Sequence, residues 1–213
     1  MKKAIIAVVL IFGIALVPSL VSAQTWGVNV GFNSATFGGD DGDNWESKTG
    51  FMFGGLCLYP LTNTGISLHI EANYTMKGAS FEGWLWADTD GDGYADSQID
   101  AEQINKLAYL EIPVLFQYNV KTAGSVQPIF YAGPALALKL SSKYTLKYSN
   151  TSDTESLKDI KSMDISLVVG GGVCISGKYY VSLRYTMGVT NYADVVGVDL
   201  KNNVISGVVS VAL

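Results

Sequence analysis

The sequence ISLHIEANYTMK, at residues 66–77, places an apolar side chain at every even position and a polar side chain at every odd position. Successive side chains of a β-strand point to opposite faces, so this stretch predicts a strand with one wholly apolar face. The other face carries His69, Glu71, Asn73 and Lys77. A strand of this pattern lies between an apolar and a polar environment.

The same period of two recurs at residues 179–188 and in the C-terminal residues 205–213. Extending the pattern along the chain predicts eight strands, and an even number is typical of bacterial membrane barrels. The predicted strands are residues 25–33, 50–60, 65–77, 106–119, 127–141, 161–175, 178–189 and 203–213.

The connections between these strands alternate in length. The long, polar ones are residues 34–49, 78–105, 142–160 and 190–202, and the short ones are residues 61–64, 120–126 and 176–177. This alternation predicts an all-β fold, an eight-stranded antiparallel up-and-down transmembrane β-barrel with four long outer loops and short periplasmic turns. Tyr and Trp concentrate at the two membrane interfaces of such barrels. We therefore expect Trp26, Tyr118 and Tyr179 at the turn side, and Tyr109 and Tyr185 at the loop side.

The N-terminus has the pattern of a secretory signal peptide. Lys2 and Lys3 precede an apolar run at residues 4–17, and small residues at 21–23 predict cleavage after Ala23. Position 24 is Gln, so no lipid anchor is expected. The mature chain, residues 24–213, fits a single outer-membrane barrel domain.

Charge argues against one class of binding partner, and the cysteine count argues against a disulfide framework. Without Lys2 and Lys3 the chain has 14 − 2 = 12 basic residues against 19 acidic ones, a formal charge of −7. No basic stripe is available to neutralise phosphates, which argues against a nucleic-acid partner. Two cysteines, Cys57 and Cys174, do not form a disulfide framework, and two buried thiols are the simpler interpretation.

Five segments resemble the PorT-like outer-membrane β-barrel family, often labelled the porin family. The most specific is YLEIPVL at residues 109–115. The others are WGVNVG at 26–31, EANYTMKG at 71–78, YAGPA at 131–135 and RYTMGVTN at 184–191. The resemblance implies the barrel fold and an outer-membrane location. The terminal Leu213 departs from the aromatic residue that ends many outer-membrane barrels.

The alternation also predicts which polar side chains face the lumen. These are Glu71, Asn73, Lys77, Glu111, Gln117, Asp164 and Arg184. Eight strands enclose an interior just wide enough to be filled by side chains, so a plugged barrel is expected. Charges inside such a core must pair or be hydrated. The sequence therefore predicts a luminal polar network in which Arg184 pairs with Glu71 or with Glu111.

Three functional interpretations follow from these patterns. The first is a monomeric barrel in outer-membrane lipid with a structural or surface-recognition role. The second is a secreted, soluble β-barrel that binds a small apolar ligand, which would need its apolar faces to point inward. The third, a lipid-modifying enzyme, is disfavoured because the single histidine, His69, lies in mid-strand, away from any loop nucleophile. We expect no enzymatic activity.

The sequence DTDGDGYADSQI, at residues 88–99, has the spacing of a calcium-binding loop. Carboxylates of Asp88, Asp90, Asp92 and Asp96 occupy positions 1, 3, 5 and 9, and Tyr94 offers its backbone carbonyl at position 7. Position 12, usually a bidentate Glu, is Ile99, so Asp100 or Glu102 would have to replace it. The sequence predicts weak calcium binding, and a solvated acidic loop is the alternative.

Overall fold

The computed structural model describes residues 24–87, 97–148, 151–157, 160–193, 197 and 199–213. Ten antiparallel strands are present in these residues. They are β1 (Thr25–Gly38), β2 (Glu46–Pro60), β3 (Ile66–Lys77), β4 (Ala79–Ala87), β5 (Ser97–Asn119), β6 (Val126–Tyr148), β7 (Thr151–Ser156), β8 (Met163–Ile175), β9 (Tyr179–Gly188) and β10 (Lys201–Ala212). No helix long and apolar enough to span a membrane occurs among the described residues. The predicted signal peptide, residues 1–23, lies outside them.

Eight of the strands close a ring. Each pairs with its neighbour in the order β1, β2, β3, β5, β6, β8, β9 and β10, and β10 pairs back to β1. The predicted eight-stranded up-and-down barrel is confirmed. A closed ring leaves no sheet edge exposed to lipid, where an unpaired backbone group has no water to bind.

The register around the ring fixes its shear. Starting from Asp164 on β8, the successive pairing partners are Ala137, Glu111, Asn73, Gly54, Asn29, Ser210, Tyr180 and Cys174. The path returns to β8 at Cys174. The shear, which is the displacement along the strand after one circuit of the ring, is therefore ten residues (174 − 164). Strands of a staggered barrel are tilted from its axis by roughly 35 to 45°. Residues in register on neighbouring strands therefore lie at different depths in the membrane.

The other two strands extend the barrel outward. Strand β4 pairs with residues 97–104 of β5, and β7 pairs with residues 143–148 of β6. Together with these parts of β5 and β6 they form a four-stranded sheet in the order β4, β5, β6, β7. Gly78, with a φ of +127°, links β3 to β4 in a conformation that favours glycine. Much of the two longest predicted loops is therefore paired strand, and we name this extension the outer sheet.

Side chains sort by parity as the alternation predicts. Polar residues of β3 at odd positions are buried inside, and the apolar residues at even positions lie on the outside. The most exposed apolar side chains on the outer surface of the barrel include Phe32, Leu183, Phe116, Ile205, Phe130, Val30 and Trp26. Apolar residues face outward and charged residues inward, which is the opposite of a soluble barrel with an apolar cavity.

One cysteine and one tyrosine differ from the sequence-based expectation of two buried thiols and a loop-side aromatic belt. Cys174 is buried in the lumen, whereas Cys57 is half-buried on the outward face of β2, and both are free thiols. Tyr109 was expected in the loop-side aromatic belt, and this is wrong, because its side chain is fully buried inside the barrel. It shares the inward parity of Glu111, two residues further along β5.

Candidate functional site: the luminal polar network

The centre of the lumen contains a bidentate ion pair between Arg184 on β9 and Glu71 on β3. Arg184 Nη1 donates to Glu71 Oε2 at 2.9 Å, and Nη2 donates to Oε1 at 2.6 Å. Both side chains are buried, at 3% and 2% exposure. A planar guanidinium opposite a carboxylate is the strongest ion-pair geometry available to these residues. Of the two predicted partners for Arg184, the structure places Glu71 in contact.

Glu71 has further partners on the same wall. Asn73 Nδ2 donates to Glu71 Oε2 at 2.6 Å, and His69 Nε2 lies 3.0 Å from Oε1. The other ring nitrogen of His69, Nδ1, lies 2.9 Å from Gln117 Oε1, and Gln117 Nε2 donates to Asn119 Oδ1 at 2.8 Å. Buried carboxylates are tolerated when hydrogen bonds and a counter-charge surround them. Arg184 supplies the counter-charge of Glu71, and Asn73 and His69 supply the further polar contacts.

The ring of Tyr131 on β6 also contacts the Arg184 guanidinium. The guanidinium carbon lies 5.3 Å from the centre of the Tyr131 ring, and the Tyr131 hydroxyl donates to Ser182 Oγ at 2.9 Å. The ring fits because Gly170 on β8 has no side chain, since a Cβ there would collide with the Tyr131 ring. Cation–π contact with a desolvated Arg adds to the ion pair.

A second buried ion pair joins Lys77 and Glu111. The Lys77 ammonium contacts the Glu111 carboxylate and lies 5.4 Å from the centre of the Tyr109 ring. Glu111 is therefore not the partner of Arg184, although both face the lumen. Parity predicts the face of each charged residue, and the register between strands decides which of them meet.

Asp164 on β8 links the barrel wall to both ends of the last outer connection. Thr190 Oγ1 donates to Asp164 Oδ1 at 2.8 Å, and Asn202 Nδ2 donates to Oδ2 at 2.9 Å. Thr190 follows β9 and Asn202 lies in β10. The sequence predicted the inward position of Asp164. It did not predict the roles of Thr190 and Asn202, because Thr and Asn are common at loop boundaries and give no signal of a buried partner.

The described residues at the two ends of the last outer connection, 189–193 and 199–200, contribute to an apolar cluster at the barrel mouth. Tyr192 stacks on Phe37 with ring centroids 4.4 Å apart, and Trp45 meets Phe37 edge-on at 5.0 Å. Leu107 and Leu200 are buried in the same apolar cluster. Burial raises the pKa of Tyr192 to about 12, so its hydroxyl is neutral at physiological pH. We name this cluster the mouth cluster.

A second apolar cluster lies in the same lumen, and its member Tyr131 contacts Arg184. It comprises Leu115, Ile129, Tyr131, Ala135, Val168 and Cys174, with Tyr180 packed against it. Side chains of both apolar clusters therefore help to fill the lumen around the buried ion pairs.

The predicted calcium ligands Asp88, Asp90, Asp92, Tyr94 and Asp96 lie outside the described residues. The strands that flank them are described, and Ala87 of β4 pairs with Ser97 of β5. Within the described part of the chain, no three or more His, Cys, Asp or Glu residues are grouped in a way that would hold a metal ion.

Comparison with known proteins points to one family. The model of the family described as "outer membrane protein beta-barrel domain" matches residues 22–194. No protein of curated function matches the sequence.

Three solved structures of outer-membrane proteins are among those similar to this chain. Neisserial surface protein A is 17% identical, with 90% of this chain and 100% of that chain covered and a TM-score of 0.48. Ail, the attachment invasion locus protein of Yersinia pestis, is 13% identical over 89% and 97% of the two chains, with a TM-score of 0.39. The outer membrane protein OprG from Pseudomonas aeruginosa is 13% identical over 89% and 92%, with a TM-score of 0.35.

Proposed function

This chain belongs to the outer membrane protein beta-barrel domain family, and from that premise we propose that it is a closed, non-conducting barrel with a structural or surface-recognition role. Its location is the outer membrane. The observation that carries the proposal is the filled lumen, in which the Arg184–Glu71 and Lys77–Glu111 pairs are buried together with the side chains of two apolar clusters. The four-stranded outer sheet, which extends beyond the barrel, is the surface available for recognition.

The PorT-like subgroup is the finer assignment that we propose within this family. It rests on the segment at residues 109–115, in which Tyr109, Glu111 and Leu115 all face the lumen. The proposed state is a monomer surrounded by lipid. We propose neither a nucleic-acid partner nor an enzymatic role.

The environment of His69 supports the non-enzymatic proposal. The ring is buried, and its two nitrogens lie within 3.0 Å of Glu71 and Gln117 side chains. A general base must reach the proton of a nucleophile or of a substrate. A lipid ester outside the barrel wall cannot approach these nitrogens.

Single-channel recording tests the closed lumen. Purified protein reconstituted in planar bilayers is expected to show no large, steady, water-filled conductance, because inward side chains fill an eight-stranded interior. A 16-stranded porin in the same bilayers is the positive control. Steady conductance of porin size from this protein would contradict the proposal.

We also propose that the acidic loop at residues 88–96 binds calcium weakly. The Ala87–Ser97 pairing holds the two ends of the loop opposite each other, so part of the entropy of loop closure is already lost. Asp88, Asp90, Asp92 and Asp96 place four carboxylates within nine residues of sequence, and a divalent cation would relieve their mutual repulsion.

Calorimetry with calcium is expected to give a dissociation constant of about 10⁻⁴ to 10⁻³ M, because the bidentate twelfth ligand is absent. Calcium should also protect residues 84–100 from limited proteolysis. The Asp90→Asn/Asp92→Asn variant should lose both effects, and the Asp40→Asn/Asp41→Asn variant, in another outer connection, is the matched control. If the first variant behaves as the wild type, the loop is only a solvated acidic segment.

A further inference from the structure

Asp164 is a buried carboxylate without a positively charged partner. It is 1% exposed and forms no ion pair with the described residues. The other two luminal carboxylates differ in this respect, because Arg184 binds Glu71 and Lys77 contacts Glu111. A buried charge without compensation is strongly destabilising. Asp164 therefore needs a positive charge that the described side chains do not supply.

The hydrogen bonds of Asp164 are those of an ionised carboxylate. Thr190 Oγ1 accepts a hydrogen bond from the Ile165 backbone N–H at 2.9 Å, so its own proton is donated to Asp164 Oδ1 at 2.8 Å. Asn202 Nδ2 donates to Asp164 Oδ2 at 2.9 Å. Both carboxylate oxygens thus act as acceptors, as in the ionised form. Both donors are neutral groups and leave the charge of Asp164 uncompensated.

The charged side chains on the neighbouring strands have other partners. Ala137 of β6 is the register partner of Asp164, and Lys139 lies two residues further along that strand. The Lys139 ammonium donates to the Ile160 carbonyl oxygen at 2.7 Å. On the next strand, Glu111 lies opposite Ala137, and its carboxylate already contacts a lysine. The counter-charge of Asp164 must therefore come from a bound species.

Three polar side chains near Asp164 have an oxygen with no hydrogen-bond partner among the described residues. These oxygens are Asn202 Oδ1, Ser166 Oγ and the Tyr109 hydroxyl, and each residue is at most 2% exposed. Ser166 follows Asp164 by two residues on the same inward face of β8. The Tyr109 hydroxyl interacts with the charge of Asp164 and lies beside the Asn202 amide, without reaching hydrogen-bonding geometry. Buried polar groups of native proteins nearly always have a partner.

The chemistry of these groups fits a hard cation with a single charge. A carboxylate, an amide oxygen and two hydroxyls offer only oxygen, which hard cations prefer. One carboxylate balances one positive charge, whereas calcium sites usually combine several carboxylates. A divalent ion here would leave a net positive charge in the buried lumen, which is costly.

We propose that Asp164, Asn202, Ser166 and Tyr109 bind a monovalent alkali cation inside the barrel. Tyr109 belongs to the mouth cluster, so the site lies at the outer end of the lumen. Asp164 and Asn202 are also the residues that join the last outer connection to the wall, so the cation stabilises this junction. The inference goes beyond the structural or recognition role and does not depend on the acidic loop at residues 88–96.

The test compares unfolding of the barrel in sodium chloride, potassium chloride and choline chloride at equal ionic strength. Choline is an organic cation that does not replace a hard metal ion among oxygen ligands. Purified protein in lipid vesicles is unfolded with urea and followed by tryptophan fluorescence. Sodium or potassium should raise the urea midpoint above that in choline, and the midpoint should rise further with the cation concentration, because a ligand that binds only the folded state stabilises it.

Three variants assign the effect to the site. Asp164→Asn removes the charge and should unfold at the same urea concentration in all three salts. Ser166→Ala keeps the charge but loses one ligand, and should need at least tenfold more cation for the same stabilisation. It carries the test if Asp164→Asn does not give the heat-modifiable folded form. Asp153→Asn, which removes an exposed carboxylate of the outer sheet, is the matched control and should respond as the wild type does.

A heavy cation locates the site directly. Thallium(I) replaces potassium among oxygen ligands and scatters X-rays anomalously, so crystals grown with it should show an anomalous peak between Asp164 and Asn202. Equal urea midpoints of the wild type in all three salts would overturn the proposal. An unchanged cation response in Asp164→Asn, or in Ser166→Ala, would overturn it as well, and so would an anomalous peak elsewhere with none at Asp164. The closed lumen is tested separately by channel recording, so failure of one does not entail failure of the other.

Discussion

Replacing Arg184 with leucine is expected to lower the free energy of unfolding by about 3 to 5 kcal/mol, because Glu71 would be left as an uncompensated buried charge. Glu71 is 2% exposed, and Arg184 binds both of its carboxylate oxygens. The contacts from His69 and Asn73 would remain, but these do not replace a full positive charge at hydrogen-bonding distance. Urea unfolding of the barrel in lipid vesicles, followed by tryptophan fluorescence, measures the change.

The matched control removes both charges. Glu71→Leu with Arg184→Leu should recover most of the lost stability, because replacing a buried ion pair by apolar residues is often neutral or stabilising. If Arg184→Leu alone unfolds at the wild-type urea concentration, Glu71 is not held as a buried carboxylate. If Glu71→Leu/Arg184→Leu is less stable than Arg184→Leu alone, Glu71 stabilises the barrel through contacts other than its ion pair with Arg184.

Leu183→Arg should destabilise the barrel by about 2 to 4 kcal/mol, the range for a charged residue at the membrane midplane. Leu183 is 70% exposed on the lipid face of β9, four residues (183 − 179) from Tyr179 at the turn-side end. At roughly 3.3 Å per residue and a tilt of about 40°, Leu183 lies about 10 Å above Tyr179, close to the centre of the apolar band.

The control for depth is Leu68→Arg. Leu68 is also outward-facing, but it lies two residues from the start of β3 and pairs with Tyr59 near the periplasmic turn. A charge near the interface costs about 0 to 1 kcal/mol. Equal losses at Leu68 and Leu183, measured by the same urea titration, would mean that the assigned depths are wrong.

The sequence was sufficient to predict the eight strands of the ring and the faces of their side chains. Both depend on a period of two that is visible wherever a strand separates lipid from a polar lumen, as in residues 66–77. The outer ends were predicted too short, since β5 begins at Ser97 and β6 ends at Tyr148. The sequence of β7, TSDTES, is polar throughout, and the apolar residues of β4, at 84–86, are consecutive, so a period of two reveals neither strand.

The ion pairs show what a single sequence does not contain. Parity placed Glu71, Glu111 and Arg184 in the lumen, but it left two partners for Arg184. The choice depends on how far each strand slides past its neighbour, and Glu111 lies opposite Asn73 rather than Glu71. That register is set by bulges and turns around the whole ring, such as the irregularity at Ala108 and Tyr109.

Asp164 constrains both described ends of the last outer connection. A loop that opens as a lid pivots about one end while the other end is free to move. Here Thr190 at one end and Asn202 at the other both donate hydrogen bonds to the Asp164 carboxylate. Tyr192 and Leu200, between them, are joined by a backbone hydrogen bond of 2.9 Å. Rotation about either end would break the contacts of the other. The described ends of the connection are therefore tied to one carboxylate of the wall, and moving either Thr190 or Asn202 away from the wall breaks a contact of Asp164.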